Sequence, residues 1–276
     1  MRSEYIGIKN VIVSGHRGER VHKTENTMTA FKSAIAAGCE MLETDVHMTK
    51  DGRLVLMHDE NVERTTDGKG IIRNLTFEEI KSLNALIYSE PRLSPEAPPA
   101  LSELLTLAQD TPGLLLNIEL KDYPEPGQEA FAYECADKTC DMIIEYGLSD
   151  RVWINSFSGK LLEYVWKKYG RTFKYHGFYP WFILGPMDTD PEEFIDIACM
   201  QHRYVNENGE VIKYDEPMCP KEWFDYLISK GIMPLMAPSL SDIEKLDLSV
   251  QYGSRMINTD DPVTVVNHYR KLGLLK

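Results

Sequence analysis

The feature that most limits the fold is an alternation repeated along nearly the whole chain. Short apolar runs with strand character are each followed by a stretch with apolar residues at helical spacing. Val11-Ile12-Val13, the first strand of Met41–Asp59, Leu114–Lys121, Val152–Phe157, Thr172–Tyr179, Phe194–Met200, Ile232–Met236 and Met256–Pro262, which ends in acids, are the expected strands. Met28–Ala37, Glu103–Gln109, Gln128–Tyr146, Lys160–Tyr169, Glu222–Lys230, Asp242–Leu246 and Pro262–Leu272 are the main expected helices. About eight βα units in 276 residues predict an α/β, TIM-like (β/α)8 barrel with a small insertion after the second strand. A Rossmann-like open sheet competes, but no glycine-rich nucleotide fingerprint opens a first helix. The whole of 1–276 reads as a single barrel domain, and 60–99, rich in turn formers and proline, as the insertion within it. Thr76 and Glu79 form a capping box for a helix running through Leu83. Ser102 is expected to cap the helix that follows, Asn26 or Thr27 the first one, and Gly38 to end that first helix.

Within this frame the polar residues are not scattered. Met41–Asp59 reads as strand, turn, strand, with Asp51-Gly52 supplying the turn because glycine tolerates the positive φ it needs. Side chains alternate along a strand, so Glu43, Asp45 and His47 share a face, while Leu42, Thr44 and Val46 share the other. Two carboxylates two residues apart make half a site for a hard divalent cation. The second strand is apolar and ends at His58-Asp59, a titratable pair. Ser14-Gly15-His16-Arg17-Gly18 follows the first strand, with glycines that permit a sharp turn and close approach to a ligand. An imidazole and a guanidinium at a strand end suit work on a phosphate, one moving protons and the other forking onto oxygens. Asn117, Glu119 and Lys121 share a face at the end of a strand whose first half is apolar, as for a parallel strand buried on both sides. These groups and Asp260 all fall at C-terminal ends of strands, the rim where barrel active sites lie.

Bulk composition narrows the partners. Forty-three acidic residues against 30 Lys and Arg give a formal net charge of −13. That argues against nucleic acid or an anionic membrane as the main partner. No apolar run approaches a membrane span and the first residues lack a signal peptide's apolar core, so a cytoplasmic protein without stable membrane insertion is expected. The five cysteines lack zinc-type spacing and read as reduced, buried thiols.

Taken together, Gly15-His16-Arg17-Gly18, Glu25-Asn26-Thr27, the run from Glu43 to Asp59, Arg64–Gly70, Pro99–Leu105, Asn117–Lys121, Asn155-Ser156-Phe157 and Asn258–Pro262 resemble the glycerophosphodiester phosphodiesterase family, in the family's order and over nearly the whole chain. The resemblance implies hydrolysis of a small-molecule glycerophosphodiester to glycerol 3-phosphate and an alcohol, with one divalent metal. It implies His16 and His58 as the acid/base pair, Glu43, Asp45 and Glu119 as metal ligands, and Arg17 and Lys121 as the phosphate-side cations. Three carboxylates suit Mg²⁺ or Ca²⁺ better than zinc. The nucleophile is either water or a neighbouring glycerol hydroxyl attacking through a cyclic phosphate. The chain departs from the family at Thr24, Thr44 and the end of the seventh strand, Met236–Ser239.

Overall fold

The structure, a computed structural model, describes residues 9–85, 95–201, 203–205, 209–213, 219–236 and 242–275. Eight parallel strands form a nearly closed barrel. They are β1 (Ile12–His16), β2 (Met41–Met48), β4 (Leu115–Leu120), β5 (Val152–Asn155), β6 (Lys174–Tyr179), β7 (Ile197–Met200), β10 (Met233–Met236) and β11 (Met256–Thr259). Three further strands lie outside the barrel: β3 (Leu54–Leu56), and the antiparallel pair β8 (Arg203–Val205) and β9 (Val211–Lys213). Pairing runs β10-β7-β6-β5-β4-β2-β1-β11, and β3 pairs antiparallel with β2 as the Asp51-Gly52 turn requires. In register, Glu43 stands opposite His16 on one side and Asn117 on the other, while Asp45 stands opposite Glu119. Residues far apart in the chain are thus brought level at one rim by hydrogen-bonded ladders.

Helices α1 (Met28–Ala37), α2 (Phe77–Lys81), α3 (Leu101–Gln109), α4 (Glu129–Glu145), α5 (Gly159–Tyr169), α6 (Lys221–Ser229), α7 (Ile243–Gln251) and α8 (Pro262–Lys271) complete the chain. One βα unit has no α-helix, and none is expected from the aromatic, proline-bearing sequence there. Between β6 and β7 there are only the 3₁₀ turns Trp181–Leu184 and Pro191–Glu193. Pro180, Pro186 and Pro191 remove amide donors, and Gly185 sits at φ 74°, so a continuous helix cannot form.

The caps follow local hydrogen-bond demand. The Thr27 side chain accepts from the Ala30 amide and Gly38 ends α1 in the left-handed region. Ala100, not Ser102, starts α3, because Glu103 reaches back to accept the Ala100 amide at 2.7 Å and also pairs with Lys81 at 2.8 Å. The Thr76/Glu79 box forms, but α2 stops at Lys81. The main core fills the space between barrel and helices, with Trp153, Tyr175, Tyr269 and Phe31 among its largest fully buried side chains. Val55, Met57, Val62, Ile72 and Ile80 form a second, smaller cluster under the segment that follows β3. All five cysteines are buried and none forms a disulfide. Among the described residues no helix is long and apolar enough to cross a membrane. Residues 86–94 of the expected insertion and Ala237–Ser239 lie outside the described residues.

Candidate active site

The C-terminal rim of β1, β2 and β4 encloses a cluster of three buried carboxylates. Glu43, Asp45 and Glu119 each offer an oxygen within 4.8 Å of the others. Three like charges at this spacing, cut off from water, disfavour their own ionisation. Burial, and then the neighbouring Asp45 charge, push the Glu43 carboxyl well above its usual range and Glu119 also upward. Asp45 Oδ1 is buried and makes no hydrogen bond, with Lys121 Nζ the nearest cation at 3.7 Å. An orphaned acceptor beside two carboxyls that resist ionisation fits a hard divalent cation: it would supply the missing partner and relieve the repulsion. The donor set is all oxygen, which matches Mg²⁺ or Ca²⁺ chemistry rather than zinc.

The orientation of Asp45 is built from the β1–α1 loop. Asn26 lies at φ 52°, held there by its amide donating to Arg17 O at 3.0 Å. Its side-chain Nδ2 donates to Asp45 Oδ2 at 2.9 Å, while its Oδ1 accepts from Thr44 Oγ1 at 2.8 Å. The Thr44 hydroxyl therefore decides which way the amide faces. This accounts for a threonine on the outward face of β2, and for Thr27 rather than Asn26 capping α1. Arg17 is also left-handed, at φ 58°, and donates its amide to Glu43 Oε2 at 3.0 Å. Backbone strain of this kind persists only where surroundings enforce it. The flanking glycines are needed: a Cβ on Gly18, at φ 84°, would sit 2.6 Å from the Ala30 carbonyl carbon.

The cations are shared among the acids. Arg17 Nε lies 3.3 Å from Asp45 Oδ2 and its Nη1 donates to Glu25 at 3.0 Å. Lys121 Nζ donates to Glu119 Oε1 at 2.9 Å. The Tyr123 hydroxyl lies 3.4 Å from the same oxygen, and burial raises its pKa.

Two imidazoles border the cluster. His16 Nε2 lies 3.9 Å from Glu43 Oε2 and its Nδ1 lies 2.7 Å from Asp260 Oδ1. His58 Nδ1 lies 2.6 Å from Asp59 Oδ1. An ionised carboxylate only accepts, so each Nδ1 carries the proton and each Nε2 is left free to act. Burial pulls both histidines below their ordinary pKa. His47, which shares the acids' face in the sequence pattern, is spent elsewhere: its Nδ1 bonds Asp122 at 2.7 Å.

A cavity of about 250 Å³ joins these groups. Its opposite wall comes from β5, β6, β7 and β10 and consists of Asn155, Phe157, His176, Phe178, Cys199 and Leu235. Phe157 and Phe178 stack at 3.4 Å between centroids. His176 pairs with Asn117 at 3.0 Å, and burial lowers its pKa to about 3. The seven candidate site residues therefore converge on one mouth. What sequence reasoning missed are their supports: Glu25, Asn26, Asp59, Arg64, Asp260 and the neutral wall around His176. Asp59 and Asp260 carried a signal as acids at strand ends, and Glu25, Asn26 and Arg64 stood in the family motifs without a role of their own.

The comparisons with known proteins agree with this geometry. Residues 16–211 match the model of the glycerophosphoryl diester phosphodiesterase family. A glycerophosphodiester phosphodiesterase of Caldanaerobacter subterraneus subsp. tengcongensis is 33% identical over 269 residues, covering 95% of this chain and 99% of that one. Among solved structures, a glycerophosphoryl diester phosphodiesterase from Parabacteroides distasonis superposes with a TM-score of 0.72 at 23% identity, over 98% of this chain and 90% of that one. An Oleispira antarctica phosphodiesterase, solved in complex with the product sn-glycerol-3-phosphate, gives 0.75 at 20% identity over 94% and 97%. With a family model matched across most of the barrel and a relative aligned almost end to end, the chain belongs to the glycerophosphoryl diester phosphodiesterase family.

Proposed function

We propose that the chain hydrolyses glycerophosphodiesters to glycerol 3-phosphate and an alcohol. In this reading Glu43, Asp45 and Glu119 hold one divalent cation, Mg²⁺ or Ca²⁺. His16 and His58 divide the proton transfers, and Arg17 and Lys121 attend the phosphate. The observation that carries it is the placement of two imidazoles, each with Nδ1 against an aspartate and Nε2 left over, beside a buried three-carboxylate cluster at one mouth. The family assignment and the product bound by the Oleispira relative support the substrate class.

The chemistry follows from charge. A phosphodiester is an anion, and its oxygens repel a nucleophile until they are neutralised. When bound, the cation would supply positive charge beside those oxygens and stabilise the further charge of the transition state. Arg17 adds a planar donor fork on the same side, already oriented by Asp45 and Glu25. One Nε2 takes the proton of the attacking hydroxyl as its oxygen bonds phosphorus. The bond to the leaving oxygen breaks, and the other imidazole, protonated in that state, returns a proton to it. General acid–base catalysis of this kind is worth about 10²–10⁴-fold. The attacking hydroxyl belongs either to water or to the substrate's own glycerol, and in the second case a cyclic phosphate forms first.

The test is release of glycerol 3-phosphate from choline, ethanolamine, glycerol and inositol diesters with Mg²⁺ or Ca²⁺ added, and its loss on chelation. No turnover of any member of that panel under several metals would refute the proposal. Trapping of a cyclic phosphate would select the intramolecular route.

A further inference from the structure

The supports of the two imidazoles are joined to each other. From His16 Nδ1 the contacts run to Asp260 Oδ1 at 2.7 Å, and from there to Arg20 Nη1 at 3.5 Å. Arg20 Nη2 meets Glu25 Oε2 at 3.0 Å. The other oxygen of the same carboxylate, Oε1, meets Arg64 Nη2 at 2.6 Å. Arg64 Nε then pairs with Asp59 Oδ2, and Asp59 Oδ1 meets His58 Nδ1 at 2.6 Å. Each arm reads imidazole, aspartate, arginine, and the arms meet on one glutamate. Between the two imidazoles, acids and arginines alternate along the path.

The members come from separate parts of the chain. Arg20 and Glu25 lie in the β1–α1 loop, Asp260 follows β11, and Asp59 and Arg64 follow β3. The Arg20 amide also donates to the Asp260 carbonyl at 3.3 Å, pinning the first arm to the backbone. Glu25 is buried, its side chain 6% exposed, whereas Arg20 and Arg64 are 27% and 43% exposed. A buried carboxylate facing three guanidiniums (Arg17 is the third) is an over-determined anchor. The two arginines reach from it toward the histidine-bearing aspartates, Arg64 being the more exposed. Proton transfer is sensitive to small misplacements of the acid and the base, and both must be aligned with one substrate at once.

We propose that Glu25 is a positioning residue shared by both imidazoles: through Arg20 it holds the Asp260–His16 pair, and through Arg64 the Asp59–His58 pair, in one fixed relation across the mouth. The inference rests on the acid/base reading of those histidines. It adds a division of labour: Arg20 serves one proton transfer, Arg64 the other, and Glu25 both.

The experiment uses the full chain with saturating cation and two diesters of glycerol phosphate. One has choline as leaving group, which needs a proton. The other has p-nitrophenol, which leaves without one. Arg20→Gln and Arg64→Gln should each lower kcat on the choline diester by about 10-fold, with KM changed by less than about 3-fold. One of the two should recover on the p-nitrophenyl diester, and the other should not. Glu25→Gln should lose about 100-fold on the choline diester and recover only in part on the aryl one. Arg20→Lys and Arg64→Lys should restore part of the lost rate. Equal loss on both substrates for all three variants would make the network merely structural and overturn the proposal. So would unchanged kcat, or the same leaving-group response from both arginine variants. If Glu25→Gln does not fold, the two exposed arginines decide alone. Wild-type protein that turns over neither diester would instead defeat the underlying functional reading, before any variant is made.

Discussion

The two halves of the barrel mouth differ in kind. β1, β2, β4 and the end of β11 present His16, Arg17, Glu43, Asp45, Glu119, Lys121 and Asp260. β5, β6, β7 and β10 present Asn155, His176, Phe178, Cys199 and Leu235, with no charged side chain among the described residues that line the cavity. On the first side, each cation has at least one acid within 4 Å. On the second, even the histidine is held neutral by burial. A buried charge without a partner is costly, so ionic chemistry has to be concentrated where partners and a cation can converge. Under the proposed function, the phosphate would fall to the first half and the uncharged portion of the substrate to the second.

The largest effects should come from the charged half. Chelation should take turnover below detection. Asp45→Asn, which removes a ligand charge and keeps the Asn26 contact geometry, should lower it on the order of 10³-fold. Glu43→Ala should weaken cation binding in calorimetric titration, and unchanged affinity would contradict its assignment as a ligand. His16→Ala and His58→Ala should each cost about 10²-fold or more in kcat with an unaltered melting transition. Either variant at near wild-type rate would remove that imidazole from the acid/base pair.

A smaller effect separates the halves by protons rather than by rate. Burial and the neighbouring carboxylates push Glu43 and Glu119 upward, so a cation binding there competes with protons. Binding heats should therefore depend on the buffer's ionisation enthalpy, and affinity should fall as pH falls. Phe178→Leu, on the neutral half, should raise KM and change neither the cation affinity nor its proton release. A Phe178 variant that altered cation affinity would break the separation.

The same contrast explains what the sequence revealed. The charged half was legible because its residues are local. Glu43 with Asp45, and Glu119 with Lys121, share strand faces by simple alternation, and Asp51-Gly52 announces the hairpin that carries His58. The barrel was legible from the alternation itself, and so was the break in it between β6 and β7, where prolines leave only short turns. The supports were not legible. His16 and its partner Asp260 are 244 positions apart, and Arg64 opens a family-like motif whose pattern does not say which acids it meets. Asn26 has the residue type of a cap, but tertiary demand from Asp45 outweighs that local role. The neutral wall gave no signal because a phenylalanine or histidine on a buried strand reads as core.

The smallest effect is on stability and belongs to His176. Its pKa in the folded state is about 3, below the 6.5 of an exposed histidine. Between those values the unfolded chain binds a proton that the folded one does not, so acid favours unfolding through this group. The contribution is absent above pH 6.5 and grows as pH falls, by at most about 1.4 kcal/mol per unit. His176→Gln keeps an amide able to bond Asn117 and removes the titration. Urea unfolding of both proteins at pH 7 and pH 5 should show the wild type losing more stability than the variant over that interval. Equal losses would mean that the ring is protonated, or reached by water, inside the barrel. The wall opposite the carboxylates would then carry charge, and the division between the two halves would fail.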